Sequence, residues 1–189
     1  MKRELPARKN NRLKGYDYSQ EGRYFITICV KDRRQMLGSI DSSEVVGAHT
    51  VPPNNVRLSD IGTVVDAAIN SIGDAYEDVE VSKYVVMPNH IHIIIALNAN
   101  NGETVNVSDN GGGSGSGSTL CSPTSNTAPS ISRIVKQYKE HVTKQIGFSL
   151  WQKSFYDHII RDESEYQAIC QYIDSNPENW ENDRFFVKD

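Results

Sequence analysis

Two histidines one residue apart open the apolar run His90-Ile91-His92-Ile93-Ile94-Ile95-Ala96-Leu97, directly after Tyr84-Val85-Val86-Met87-Pro88-Asn89. The two runs with Pro-Asn between them read as a β-hairpin. Strand side chains alternate between faces, so the imidazoles project together, about 7 Å apart along the strand, while Ile91, Ile93 and Ile95 point the other way. Two imidazoles so placed can reach one metal ion. They stand where packing alone would select Val or Ile, so something polar must meet them. The competing reading is a pair of satisfied core histidines.

A second pair lies near the other end of the chain. Asp162 followed by Glu165 is a capping box, and Asn176-Pro177 stops the helix it opens. Tyr166, Ile169, Cys170 and Ile173 form that helix's packing stripe. Tyr172 and Asn176, one turn apart, fall on a separate flank. A tyrosine off the stripe with an amide one turn later is an odd pair for packing, and reads as part of a site. Of the rival tyrosines, Tyr166 belongs to the stripe and Tyr156 to an aromatic segment before the helix, and both are expected to be packed.

Together the two pairs point to metal-assisted phosphoryl transfer. His90, His92 and Asn176 would hold a divalent cation, Mg²⁺ or Mn²⁺, that polarises a phosphodiester. Imidazoles plus an amide oxygen are too hard and too sparse a set for structural zinc. Tyr172 would attack phosphorus, leaving a phosphotyrosine and a free 3′-OH. The covalent link conserves the phosphodiester energy, so a strand can be rejoined without ATP.

These residues need a scaffold. Arg23 to Val30 is a first strand and Ser59 caps a helix that runs to Gly73-Asp74. Val79 to Met87 and His90 to Leu97 follow as strands. Ser130 to Ile146 is an amphipathic helix ended by Gly147, and a strand-capable segment spans Phe148 to Tyr156. The order β, α, β, β, α, β is that of an α+β ferredoxin-like (RRM-like) sandwich: an antiparallel sheet with helices on one face, its first and third strands central, joined by the C-terminal helix that carries the tyrosine.

The 189 residues are expected to form a single domain, 1-189. It includes a basic N-terminal arm (1-15) and a Gly/Ser-rich loop insertion (98-129) that is expected to be disordered and to contribute nothing catalytic. No apolar run approaches membrane-spanning length, and no apolar run follows the basic N-terminus as in a secretory signal, so a cytoplasmic protein is expected. Cys29, Cys121 and Cys170 are too few and too scattered for a disulfide framework. The net charge of −4 argues against nonspecific coating of nucleic acid. Arg8, Lys9, Arg12 and Lys14 in the arm and Arg133, Lys136 and Lys139 on the amphipathic helix are candidate phosphate contacts, with His158 a further candidate. A solvated tail and a solvated helix face are the competing readings.

Val86-Met87-Pro88-Asn89-His90-Ile91-His92 resembles the His-hydrophobic-His (HUH) motif of single-tyrosine transposases. Trp151-Gln152-Lys153-Ser154-Phe155-Tyr156-Asp157-His158 and Tyr172-Ile173-Asp174-Ser175-Asn176-Pro177 resemble the REP-associated tyrosine transposase (RAYT) branch. The resemblance runs from about Tyr16 to Trp180 outside the insertion. It implies cleavage and rejoining of single-stranded DNA at the foot of a hairpin. His90, His92 and Asn176 would be the metal ligands and Tyr172 the nucleophile. Whether the active species is a monomer or a homodimer stays open. The alternative is a domesticated or inactive nucleic-acid-binding module that keeps the fold. A histidine-triad nucleotide hydrolase would want a further histidine where Ile94 stands.

Overall fold

The near-continuous apolar run of His90–Leu97 suits a strand at the centre of the sheet, and it is buried along its whole length. The structure is a computed structural model describing residues 13, 15–40, 56–99 and 129–187. Its main sheet is built from β1 (Gly22–Cys29), β4 (Val79–Met87), β5 (His90–Leu97) and β6 (Tyr156–Ile160), in the order β4-β5-β1-β6, all neighbours antiparallel. The first and third strands of the expected ferredoxin-like order are therefore the central pair. The expected arm residues Arg8, Lys9, Arg12 and Lys14 lie outside the described residues, as does the Gly/Ser insertion apart from its flanks.

Each face of the sheet carries its own core. Ile91, Ile93 and Ile95 point to one face and pack with Ile26 and Ile28 under helices α1 (Asp60–Asn70) and α3 (Ile131–Ile146). Ile94 points to the other face and joins Val85, Met87, Ile160, Ile173 and Trp180 beneath α4 (Glu163–Ser175). A one-residue slip of β5 would exchange these two sets and take the histidines with it.

The helix boundaries follow their capping chemistry. Ser59 accepts from Gly62 N at the start of α1, Ser130 from Arg133 N at the start of α3, and Asp162 from Glu165 N at the start of α4. Gly147 ends α3 at φ 80°, a left-handed conformation that glycine takes without steric cost. Glu165 extends its cap by accepting from Arg161 N at 2.8 Å.

Three details depart from the sequence expectation. The helix begun at Ser59 breaks at Ser71 and resumes as the single turn α2 (Ile72–Ala75). The weakly patterned stretch after β1 holds a 3-10 turn at Lys31–Arg33 and a small ribbon in which β2 (Gly38–Ile40) pairs with β3 (Val56–Leu58). These strands are too short for alternation to register. The last strand is Tyr156–Ile160 and not Phe148 to Tyr156. Leu150 and Trp151 are buried in a connection held to β1's end by Lys31 N to Leu150 O and Gln152 N to Cys29 O. Their apolar character serves this plug.

Candidate active site

β5 delivers His90 and His92 to the face beneath α4, both fully buried, with their Nε2 atoms 3.0 Å apart. The hydrogen bonds behind His90 decide which of its nitrogens faces inward. Asn89 uses its amide N–H groups on the carbonyls of Arg33 and Phe185, at 3.2 and 2.8 Å. Its Oδ1 is then the acceptor 2.8 Å from His90 Nδ1. His90 therefore carries its proton on Nδ1 and presents a lone pair at Nε2. Across the sheet, His92 Nδ1 meets the hydroxyl of Thr27, its register partner on β1, at 2.9 Å. Burial pushes the His90 pKa down to about 3, aided by the nearby Arg184 and Arg33 guanidinium groups. Burial first, and then His90, holds His92 well below the ordinary histidine range. Both are neutral imidazoles, the form that binds metals.

Tyr172 comes from α4. Its ring is 39% exposed, but its edge packs against Phe25 and its hydroxyl turns inward, 3.2 Å from His92 Nε2. The same hydroxyl donates to Asp183 Oδ2 at 3.2 Å. Burial, reinforced by the Asp183 carboxylate, pushes the phenol up to about 12 against the opposing pull of the Arg184 guanidinium, so it keeps its proton at neutral pH. One turn on, Asn176 is 2% exposed and donates from Nδ2 to Asp183 Oδ2 at 2.9 Å. Its Oδ1 is buried with no hydrogen-bond partner. Such an orphaned amide oxygen costs roughly 1–3 kcal/mol, which a cation would offset.

The residue that sequence reasoning missed is Asp183. After α4 the chain makes the 3-10 turn Trp180–Asn182 and returns over the histidines, with Phe185 packed 4.6 Å from the His90 ring. Asp183 Oδ1 caps this return by accepting from Phe185 N at 2.6 Å. Ligand atoms of His90, His92 and Asp183 lie within 4.8 Å of one another. Irregular backbone after a helix gives a carboxylate no periodicity, so nothing marked it. Two imidazole nitrogens, an unpartnered amide oxygen and a carboxylate form a donor set that could hold a divalent cation.

The other expected residues lie elsewhere. Tyr166 packs on the α4 side under the Arg23 guanidinium, 4.2 Å from its ring centroid. Tyr156 is not packed as expected: at the edge strand it is exposed, with Arg184 5.5 Å over its ring. His158 pairs with Glu165 at 2.6 Å. Arg133, Lys136 and Lys139 belong to α3, which packs on the opposite face of the sheet from the histidines. Lys136 lies 3.8 Å from Glu140, and Lys139 turns inward to donate to the carbonyls of Gln152 and Ser154 at 3.0 and 3.1 Å.

No protein-family model matches the chain. A Haemophilus influenzae protein described as uncharacterized is 34% identical over 185 residues, which is 95% of this chain and 93% of that one. This chain belongs to its family. Among solved structures, a REP-associated tyrosine transposase bound to a REP hairpin matches with a TM-score of 0.55. The match covers 89% of this chain and 73% of the other at 19% identity. The two share a fold. No described helix is long and apolar enough to cross a membrane.

Proposed function

We propose that this chain is a single-tyrosine HUH transposase of the REP-associated type, a metal-dependent enzyme that cleaves and rejoins hairpin-bearing single-stranded DNA. The observation that carries the reading is the convergence of the Tyr172 hydroxyl, at 3.2 Å, on the Nε2 of a histidine pair whose nitrogens are themselves 3.0 Å apart. The fold shared with a transposase bound to a REP hairpin supports the substrate class.

His90, His92 and Asn176 would hold the divalent cation, which when bound would polarise the scissile phosphodiester and favour the ionised phenol of Tyr172. Tyr172 Oη attacks phosphorus in line with the 3′ oxygen. The P–O3′ bond breaks, the phenol gives up its proton and the departing 3′ oxygen gains one. The products are a 5′-phosphotyrosine and a free 3′-OH, and attack by a 3′-OH reverses the step. Arg33 and Arg184 lie 5.4 and 4.5 Å from the centroid of the Phe185 ring that packs on His90, and in this reading they supply positive charge for the phosphate. DNA then follows that charge. The N-terminal arm, Arg133, Lys136, Lys139 and His158 remain proposed contacts at a distance from the chemistry.

The test is incubation of labelled hairpin-bearing single-stranded DNA with the protein and Mg²⁺ or Mn²⁺, followed by denaturing electrophoresis. A protein–DNA adduct that survives SDS is expected with the wild type and not with Tyr172→Phe. An adduct in Tyr172→Phe would overturn the nucleophile assignment. DNA bound without any adduct would favour a domesticated binding module.

A further inference from the structure

The ligand set expected from the sequence carries no charge. Two neutral imidazoles and one amide would hold Mg²⁺ or Mn²⁺ weakly, because hard divalent cations draw much of their affinity from anionic oxygen. Asp183 supplies that oxygen. Its carboxylate meets both His90 and His92 within the 4.8 Å span, and its Oδ2 already accepts from Tyr172 and Asn176, the two other site residues. Among the described residues this is the only His/Cys/Asp/Glu group so clustered.

We propose that Asp183 is the anionic ligand of the cation site, carried in by the return segment after α4, and that the same carboxylate aligns the Tyr172 hydroxyl. The inference rests on the metal-dependent reading above. It gives the return segment a defined task. Asp183 Oδ1 is held by Phe185 N and the Phe185 ring lies on His90, so the carboxylate is placed by packing and backbone. It also couples the two halves of the chemistry: the group that charges the metal site is the one the nucleophile donates to.

The test measures Mn²⁺ binding to the full chain without DNA, from the loss of the free-Mn²⁺ electron paramagnetic resonance signal. Wild type, His90→Ala, Asp183→Asn and Asp183→Cys are compared, each checked for native circular dichroism. Wild type is expected to bind one Mn²⁺ and His90→Ala to lose it. Asp183→Asn keeps the shape and an acceptor oxygen but not the charge, and is expected to bind at least tenfold more weakly. Asp183→Cys is expected to shift preference from Mn²⁺ toward the softer Cd²⁺, a change that a merely structural aspartate would not produce. Mn²⁺ binding by Asp183→Asn equal to wild type would overturn the inference while leaving the site reading intact. Absence of His90-dependent Mn²⁺ binding in the wild type would remove the metal reading and this inference with it. If Asp183→Asn fails to fold, an unchanged Mn²⁺ over Cd²⁺ preference in Asp183→Cys counts against the proposal.

Discussion

A single amide fixes the protonation of the site. Asn89 is fully buried, and each of its polar atoms is engaged, by Arg33 O, Phe185 O and His90 Nδ1. Outer-shell groups of this kind typically change metal affinity 10- to 100-fold when removed. Asn89→Ala is therefore expected to weaken Mn²⁺ binding by about tenfold or more and to lower stability by roughly 1–3 kcal/mol, because two carbonyls and an imidazole N–H lose their partner. Titration calorimetry and urea unfolding check the two effects separately. At Arg184 the expected pattern differs. Arg184→Ala should raise Mn²⁺ affinity modestly, because it removes a positive charge that acts on both imidazoles, while it weakens single-stranded DNA binding and flattens its dependence on salt concentration by about one unit in the log–log slope. Fluorescence anisotropy across a salt series reads that slope.

At the level of elements, the site exists because α4 is set on the sheet at one angle and one height. Ile173 anchors it in the lower core, while Arg23 to Glu163, His158 to Glu165 and Lys83 to Asp174 tie it to three strands. These ties are exposed, so each contributes little, and the cap carries more of the helix's order. Asp162→Ala removes the acceptor for Glu165 N and is expected to cost about 1 kcal/mol, with adduct formation and Mn²⁺ affinity reduced together, because α4 and the return after it carry Asn176 and Asp183. Denaturant midpoints and single-turnover adduct yields check this. The helix and its partner strand were legible in the sequence because both follow strict periods. The 3.6-residue stripe left Tyr172 and Asn176 on their own flank, and the two-residue alternation put His90 and His92 on one face. The β2–β3 ribbon, the Leu150–Trp151 plug and the Asp183 return were not legible. Each depends on a close approach between distant segments, as at Gly62, where a Cβ would collide with Leu37 O. Such an approach leaves only an isolated small residue as its trace, and Gly62→Ala is expected to destabilise the fold by at least about 1–3 kcal/mol, measured by thermal unfolding.

The whole molecule bears the cost of enclosing two imidazoles in one core, and that cost depends on pH. In the unfolded chain both histidines protonate near pH 6.5, whereas in the folded protein His90 stays neutral down to about pH 3 and His92 is also held well below its ordinary value. Between these limits the unfolded state binds more protons than the native state, so unfolding free energy falls as pH falls. The stabilisation is complete above about pH 6.5 and is lost progressively toward pH 3, with a limiting slope of roughly 1.4 kcal/mol per pH unit for each histidine. Carboxylates with lowered values, such as Glu165 and Glu163, push in the same direction, but they do so only near and below their ordinary range. The window from pH 7 to 5 therefore isolates histidines, and since burial and Lys144 also hold His141 below the ordinary range, the double variant separates the share of His90 and His92. Urea midpoints are expected to drop steadily across that window in the metal-free protein, and the drop should be largely absent in a His90→Gln/His92→Gln double variant. Saturating Mn²⁺ should raise the midpoints across that window and leave their slope nearly unchanged, because the folded imidazoles are already unprotonated there and protons compete with the metal only toward pH 3. A midpoint that stays level from pH 7 to 5 in the wild type would mean that the histidines are reached by water, and that the closed arrangement of α4 and the return segment over β5 does not hold in solution.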